Sequence, residues 1–336
     1  MAIVAAILAI SVPARAQQGD AATEPPPHTS VSARLFVNAS DLRREGTSSR
    51  DEGVAMELKR FYINLDHRID ERWSIHATTD INWTRNSDPT DLWLRHAYLQ
   101  RRFADRATLR LGSAPTPWIS FVAGLNGYRY VDPGLVSRLG VGAPADWGLH
   151  LNGRAGGGVD WALSAVTGAG FKRPDTDGRV NYEARVGWSG DGLTLAVGGY
   201  RGTRALADGT ATRYHTARRS TAVVAWTDER FRLGAQFVRA DNWNRVTSPL
   251  PDAARGWSAW GSYRIRPDFA LFARHDRADP STRQDPRRKD RYSQVGLEWR
   301  KSPHLRIALV GKRQESVSPS RQLRATEVGI WGQLDF

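Results

Sequence analysis

Eleven arginines, Arg34, Arg60, Arg110, Arg154, Arg185, Arg219, Arg232, Arg264, Arg274, Arg306 and Arg324, sit between apolar residues in short alternating segments of the chain. Fixed guanidinium charges on one face of a low-dielectric wall do not make or break bonds. They focus potential, concentrate anions and raise the rate at which anions enter. Polar residues share the same face: Asn64, His76, Asp80, Tyr98, Asn152, Glu183 and Gln236. Asp66 or Asp80 beside Arg60 would neutralise part of the charge, so the expectation rests on the ensemble of arginines more than on any one.

Bond-making chemistry has little behind it. The 336-residue chain has no cysteine, which excludes a thiolate nucleophile, a disulfide framework and Cys-type metal sites. Gly187-Trp188-Ser189-Gly190 misses the Gly-x-Ser-x-Gly elbow by one position. His275 and Asp276 are neighbours, and on a strand neighbours point to opposite faces. The histidines lack ligand spacing, and Gly156-Gly157-Gly158 falls in a short turn, so neither a metal nor a dinucleotide site is expected and no cofactor is implied. A triad assembled from distant residues keeps an outer-membrane barrel enzyme as an alternative.

The elements that must position the arginines are strands. Apolar residues recur with a period of two in sixteen segments, among them Phe61, Ile63, Leu65; Val159, Trp161, Leu163, Ala165; Phe231, Leu233, Ala235, Phe237; and the tail Val328, Ile330, Gly332, Leu334, Phe336. Short connections with Asp, Gly or Pro, such as 69–71, 155–158, 189–192 and 266–268, take turns with longer polar ones at 41–52, 84–91, 114–145, 169–178, 201–217, 241–254, 277–289 and 316–322. Strict alternation with an even strand count predicts an all-β transmembrane antiparallel up-and-down barrel of about 16 strands, with short periplasmic turns and long external loops. Trp73, Trp188, Trp226, Phe269 and Trp299 at strand ends suit the headgroup zone. An arginine on the lipid face near the midplane costs about 2–4 kcal/mol, so the arginines are expected to face a watery lumen.

The expected organisation is a signal peptide at 1–16, with an apolar run from Ala2 to Ile10 before Ala14-Arg15-Ala16, then a flexible linker at 17–30 and the barrel at 31–336. No later stretch is long and apolar enough for a spanning helix. The net charge of +13, with lysine only at Lys59, Lys172, Lys289, Lys301 and Lys312, admits nucleic acid, anionic lipid or small anions as partners, and export argues against the first. The 114–145 connection is unusually long and apolar. Folding it back into the barrel would bury Trp118, Phe121, Tyr128, Tyr130 and Leu135 and place Arg129, Asp132 and Arg138 at a constriction; packing against a neighbouring subunit is the competing use.

Residues 57–83, ELKRFYINLDHRIDERWSIHATTDINW, with LRHAYLQRRF and LRLGSAPTPW after them, resemble the phosphate-selective porin O and P family, and YEARVGWSG, LGAQFVRAD and LFARHDRADP continue the likeness. The resemblance implies a sixteen-stranded, homotrimeric channel of the Gram-negative outer membrane, set in lipid and lipopolysaccharide, that passes phosphate or other small anions. Ser113-Ala114-Pro115 departs from the family, which carries a lysine there, so anion preference would rest on arginine. Phe336 at the end of an alternating strand resembles the signal read by the barrel assembly machinery. A porin for sugars or other small solutes is the alternative, since Trp260 and Trp331 fall in the inward set.

Overall fold

The computed structural model describes residues 28–46, 52–85, 90–103, 106–173, 178–207, 212–244, 248–319 and 321–336. The expected signal peptide and most of the expected linker lie outside these residues, as do the tips of several long connections. Among the described residues, sixteen strands form one closed antiparallel barrel in which each strand pairs with its sequence neighbours and the first pairs with the last. They are β1 (His28–Glu45), β2 (Gly53–Arg68), β3 (Trp73–Trp83), β4 (Thr90–Phe103), β5 (Ala107–Pro115), β6 (Ala145–Arg154), β7 (Val159–Val166), β8 (Asn181–Gly190), β9 (Leu193–Ala207), β10 (Thr212–Thr227), β11 (Phe231–Asp241), β12 (Ala253–Arg266), β13 (Phe269–Asp279), β14 (Lys289–Ser302), β15 (Leu305–Ser318) and β16 (Arg321–Asp335). Two short helices, α1 (Ile119–Asn126) and α2 (Leu135–Arg138), lie in the connection between β5 and β6.

The apolar alternation faces outward. Val197, Leu233, Leu271, Val295 and Ile330 are exposed on the outer wall, while Asp80, Gln236, Ser258 and Asp276 on the alternate positions are buried inside. The outer face is apolar and the closed barrel has no edge strand among the described residues, which suits a hydrocarbon surrounding. The barrel closes through Leu35 opposite Leu334 and Val37 opposite Gly332. Phe336 completes the seam: its N–H donates to the Ala33 carbonyl at 2.9 Å and its ring stacks on Phe61.

Several strands run past the apolar band. The connection expected at 201–217 is mostly hairpin, since β9 continues to Ala207 and β10 begins at Thr212; β1 likewise begins at His28, ahead of the expected start. Beyond the band both faces are polar, so hydropathy alternation fades while the backbone ladder continues. Arg324 is a second correction. Its parity with Val328 and Ile330 puts it on the outer face, where it pairs with Glu45 and Glu315 rather than facing the lumen.

Candidate functional site: the lumen and its inward loop

Residues 116–144 fold into the barrel. Pro133-Gly134 separates the two helices, and Gly127 ends α1 with a left-handed φ of 82°. Two apolar clusters seat the loop. Trp118, Ile119, Val122, Leu135 and Val136 pack on Ala196, Tyr200, Val223, Val238 and Trp260 of the wall. Tyr128, Tyr130 and Val131 pack on Phe36, Phe272, Val310 and Trp331, with the Tyr128 and Phe272 rings 4.0 Å apart. Burying a side chain such as Trp118, which is 1% exposed, contributes about 1.5–3 kcal/mol. The inward apolar residues Val223, Val238, Phe272 and Val310 break the polar pattern of their strands, and that break is the sequence signal for the loop's seat.

Charged wall residues complete the attachment. Arg185 donates to the Pro117 carbonyl at 3.1 Å, Arg274 to Pro133 at 2.8 Å, Arg219 to Val141 at 2.7 Å and Lys312 to Val131 at 3.0 Å. Glu183 accepts from the Trp118 N–H at 3.1 Å and from Arg219 at 2.8 Å, and Arg185 also pairs with Asp160. Tyr130 donates to Glu298 at 2.9 Å. Arg138 is pinned by Asp276 at 3.1 Å and Asp290 at 2.8 Å. Arg185, Arg219 and Arg274, read from the sequence as part of an anion path, are therefore buried struts beneath the loop. Trp260 and Trp331 are also covered by it and present no aromatic stripe to a solute.

The loop packs on β8–β16 and on Phe36 of β1, and two cavities remain between it and the wall formed by β1–β4, β15 and β16. On the short-turn side a cavity of about 760 Å³ is lined by Arg95, Arg129, Arg306, Tyr62 and His96. On the long-loop side a chamber of about 310 Å³ is lined by Lys59, Arg85, Arg138, Asp132, Lys312 and Glu57. Lys59 and Arg95 were missed by alternation. The register slips between Leu58 and Phe61 on β2 and between Thr78 and Thr79 opposite β4, so each is the extra residue of a bulge. A bulge re-aims side chains, and here both flank β3 and bring a cation into the lumen.

Around these cavities Asp80, Glu57 and Glu298 are each shared by two cations, while Lys312 is itself shared by Asp132 and Glu327. Asp80, 1% exposed, lies 3.1 Å from Arg60 and 3.8 Å from Arg95. Glu57 lies 3.4 Å from both Lys59 and Arg85. Glu298 accepts from Arg306 at 2.8 Å and from Arg300 at 3.1 Å. Arg129 faces the same space, close enough to Arg60 and Arg95 to be repelled by both. Among the described residues, Arg110, Arg129, Arg154, Arg232 and Arg264 have no carboxylate within ion-pair distance; Arg110 donates to Gln100 at 2.9 Å instead. Asp132 is held by Lys312 at 3.5 Å. His275, by contrast, is on the outer wall against Ser293, facing away from Asp276.

A methyl group at Gly127 would overlap the Arg232 guanidinium, and the φ there costs an L-residue about 1–2 kcal/mol. Gly127→Ala is thus expected to displace Arg232 and lower the midpoint of heat-driven unfolding, read as loss of the fast-migrating band on a gel.

A closed barrel of sixteen antiparallel strands is a fold this chain shares with solved outer-membrane porins and channels. The channel DcaP of Acinetobacter baumannii superposes with a TM-score of 0.68 at 10% identity, covering 93% of this chain and 98% of that one. An anion-selective porin from Comamonas acidovorans gives 0.67 at 9% identity over 92% and 100%, and the trimer form of OmpT, an outer membrane protein of Vibrio cholerae, gives 0.66 at 14% over 93% and 100%. No family model and no curated protein matches the sequence. At these identities the likeness is one of fold.

Proposed function

We propose that the chain is an outer-membrane porin through which small anions diffuse passively, with the inward loop as its constriction. The observation that carries this reading is the basic lining of the two cavities, which together would form the passage: Asp80, Glu57 and Glu298 each serve two basic side chains, and among the described residues Arg129 has no carboxylate within ion-pair distance. In a narrow low-dielectric passage such a lining favours anions over cations. Phosphate and other oxyanions fit paired guanidinium groups best, because the fork geometry binds two oxygens at once. The sequence resemblance to the phosphate-selective porin O and P family supports the same class of solute.

Single-channel chloride current challenged with phosphate, sulfate or maltose tests the reading. Block by millimolar oxyanion and indifference to maltose is expected. Block by maltose alone would favour the sugar porin and overturn the anion reading.

A trimer is the proposed assembly. On β2–β4 outward apolar residues stay exposed up to the long-loop end, with Val54 at 82%, Met56 at 83%, Trp83 at 61% and Leu92 at 67%. Neighbouring copies would cover this sector, and lipid with lipopolysaccharide would surround the rest. Native mass spectrometry of the detergent-extracted protein is expected to give three copies; a single copy would remove the assembly.

A further inference from the structure

The outer wall carries arginines that the transport reading does not use. On the hairpin β9–β10, Arg201 faces Arg218 directly across the ladder. The next hairpin sets Arg239 opposite Arg255, and the next sets Arg277 opposite Arg291. All six are exposed and share parity with the outward apolar residues of their strands. Like charges placed directly opposite destabilise a sheet. Arg218, Arg255 and Arg291 face Asp241, Asp279 and Glu315 across their other ladders, but those carboxylates are also bound by Arg283, Lys289 and Arg313, which leaves the pairs under-compensated. Arg239 and Arg255 reach Asp241 and Asp279 at 3.5 and 2.9 Å. Among the described residues, the other four have no carboxylate within ion-pair distance.

Their height on the wall is constant. Each stands eight residues along its strand from an outward residue at the short-turn rim, as Arg218 does from Trp226, Arg277 from Phe269 and Arg291 from Trp299. Eight residues span about 26 Å along a strand, or about 20 Å of height at a tilt of about 40°, close to the ~25 Å apolar band of such barrels. The arginines therefore sit at the band's edge, where a charge costs about 0–1 kcal/mol instead of the midplane penalty. Directly below Arg239 and Arg255, Phe237 and Trp257 face each other and are exposed to the same surroundings. The long-loop ends of β2–β8 carry no outward arginine at this level.

We propose that these three hairpins form a binding surface for lipopolysaccharide, each arginine pair gripping a phosphate of the glycolipid while its acyl chains lie on the apolar wall below. The proposal rests on the outer-membrane reading, which makes the long-loop rim the external one. Cross-strand Cα atoms are about 4.5–5.5 Å apart, so two guanidinium groups can converge on one phosphate. The opposite rim is aromatic, so the charge asymmetry matches one leaflet. A second copy of this chain would bring like charge to like charge and fits worse.

The full chain, purified in neutral detergent, can be titrated with lipopolysaccharide, with the same glycolipid stripped of its phosphates, and with phosphatidylglycerol. Arg277→Gln/Arg291→Gln and Arg201→Gln/Arg218→Gln are each expected to weaken lipopolysaccharide binding at least tenfold. They should keep the fast-migrating unheated band, because each removes a repulsion. Wild type should lose a similar factor on the stripped glycolipid and bind phosphatidylglycerol weakly. Unchanged affinity in both variants, or equal affinity for phosphatidylglycerol, overturns the proposal. The same variants should keep wild-type ion selectivity in planar bilayers, since the belt lies outside the lumen. A wild-type channel that prefers cations would sink the transport reading alone.

Discussion

Asp276→Ala is expected to release the inward loop while leaving the barrel closed. Asp276 is 1% exposed and accepts from Arg274 at 2.8 Å and from Arg138 at 3.1 Å. Among the described residues, Arg274 then has no carboxylate within ion-pair distance and Arg138 keeps Asp290. Removing one partner from a buried ion pair costs about 3–5 kcal/mol, because the charge left behind is uncompensated. Loss of about 3 kcal/mol shifts a docking equilibrium more than a hundredfold. The barrel's own hydrogen bonds are backbone ladders on either side of residue 276 and survive the change. Single-channel conductance should rise several-fold, and trypsin should cut after Arg129 or Arg138 where the wild type resists. Asp276→Asn keeps the side-chain volume and should show much of the same effect, since the lost quantity is charge. Unaltered conductance and protease resistance in both variants would mean that the apolar clusters alone hold the loop.

Arg60→Glu combined with Arg129→Glu is expected to invert ion selectivity. The pair removes two positive charges from the passage and adds two negative ones, while Asp80 remains and Arg95 becomes its sole partner. At 0.1 M salt the screening length is about 10 Å, so the change is felt well beyond the two substituted side chains. At 1 M salt the screening length falls to about 3 Å and the inversion should shrink. The neutral double variant Arg60→Gln/Arg129→Gln should weaken anion preference without reversing it. Equal selectivity in all three proteins would place the selectivity-determining charges elsewhere, with Arg306 and Arg232 the next to examine.

The barrel was legible because its signal is repetitive. One stretch such as Phe231 to Phe237 is weak evidence for a strand, but sixteen with alternating connection lengths leave few other folds. Inward and outward faces followed wherever parity held, as in β3, β8 and β11. Parity could not reveal bulges, which insert one residue without a hydropathy cue; that is why Lys59 and Arg95 were missed. It also could not distinguish an arginine that meets solute from one that holds the loop, because Arg60 and Arg219 look alike in sequence and differ only in what the loop covers. The apolarity of the 114–145 connection did anticipate burial of Trp118, Tyr128 and Tyr130. Its partners Glu183, Asp276 and Glu298 are far away in sequence, and no local pattern joins them to it. The arginine belt was hidden for a related reason: Arg201 lies in, and Arg218 borders, a stretch that hydropathy assigns to a loop and hydrogen bonding assigns to a hairpin.

The central claim is that surplus positive charge along the passage formed by the two cavities sets what crosses. The reversal potential of the purified wild-type protein in a planar bilayer, under a tenfold gradient of potassium chloride at low ionic strength, tests it most directly. A potential with the sign of chloride permeation is the predicted result, and one with the sign of potassium permeation would contradict it.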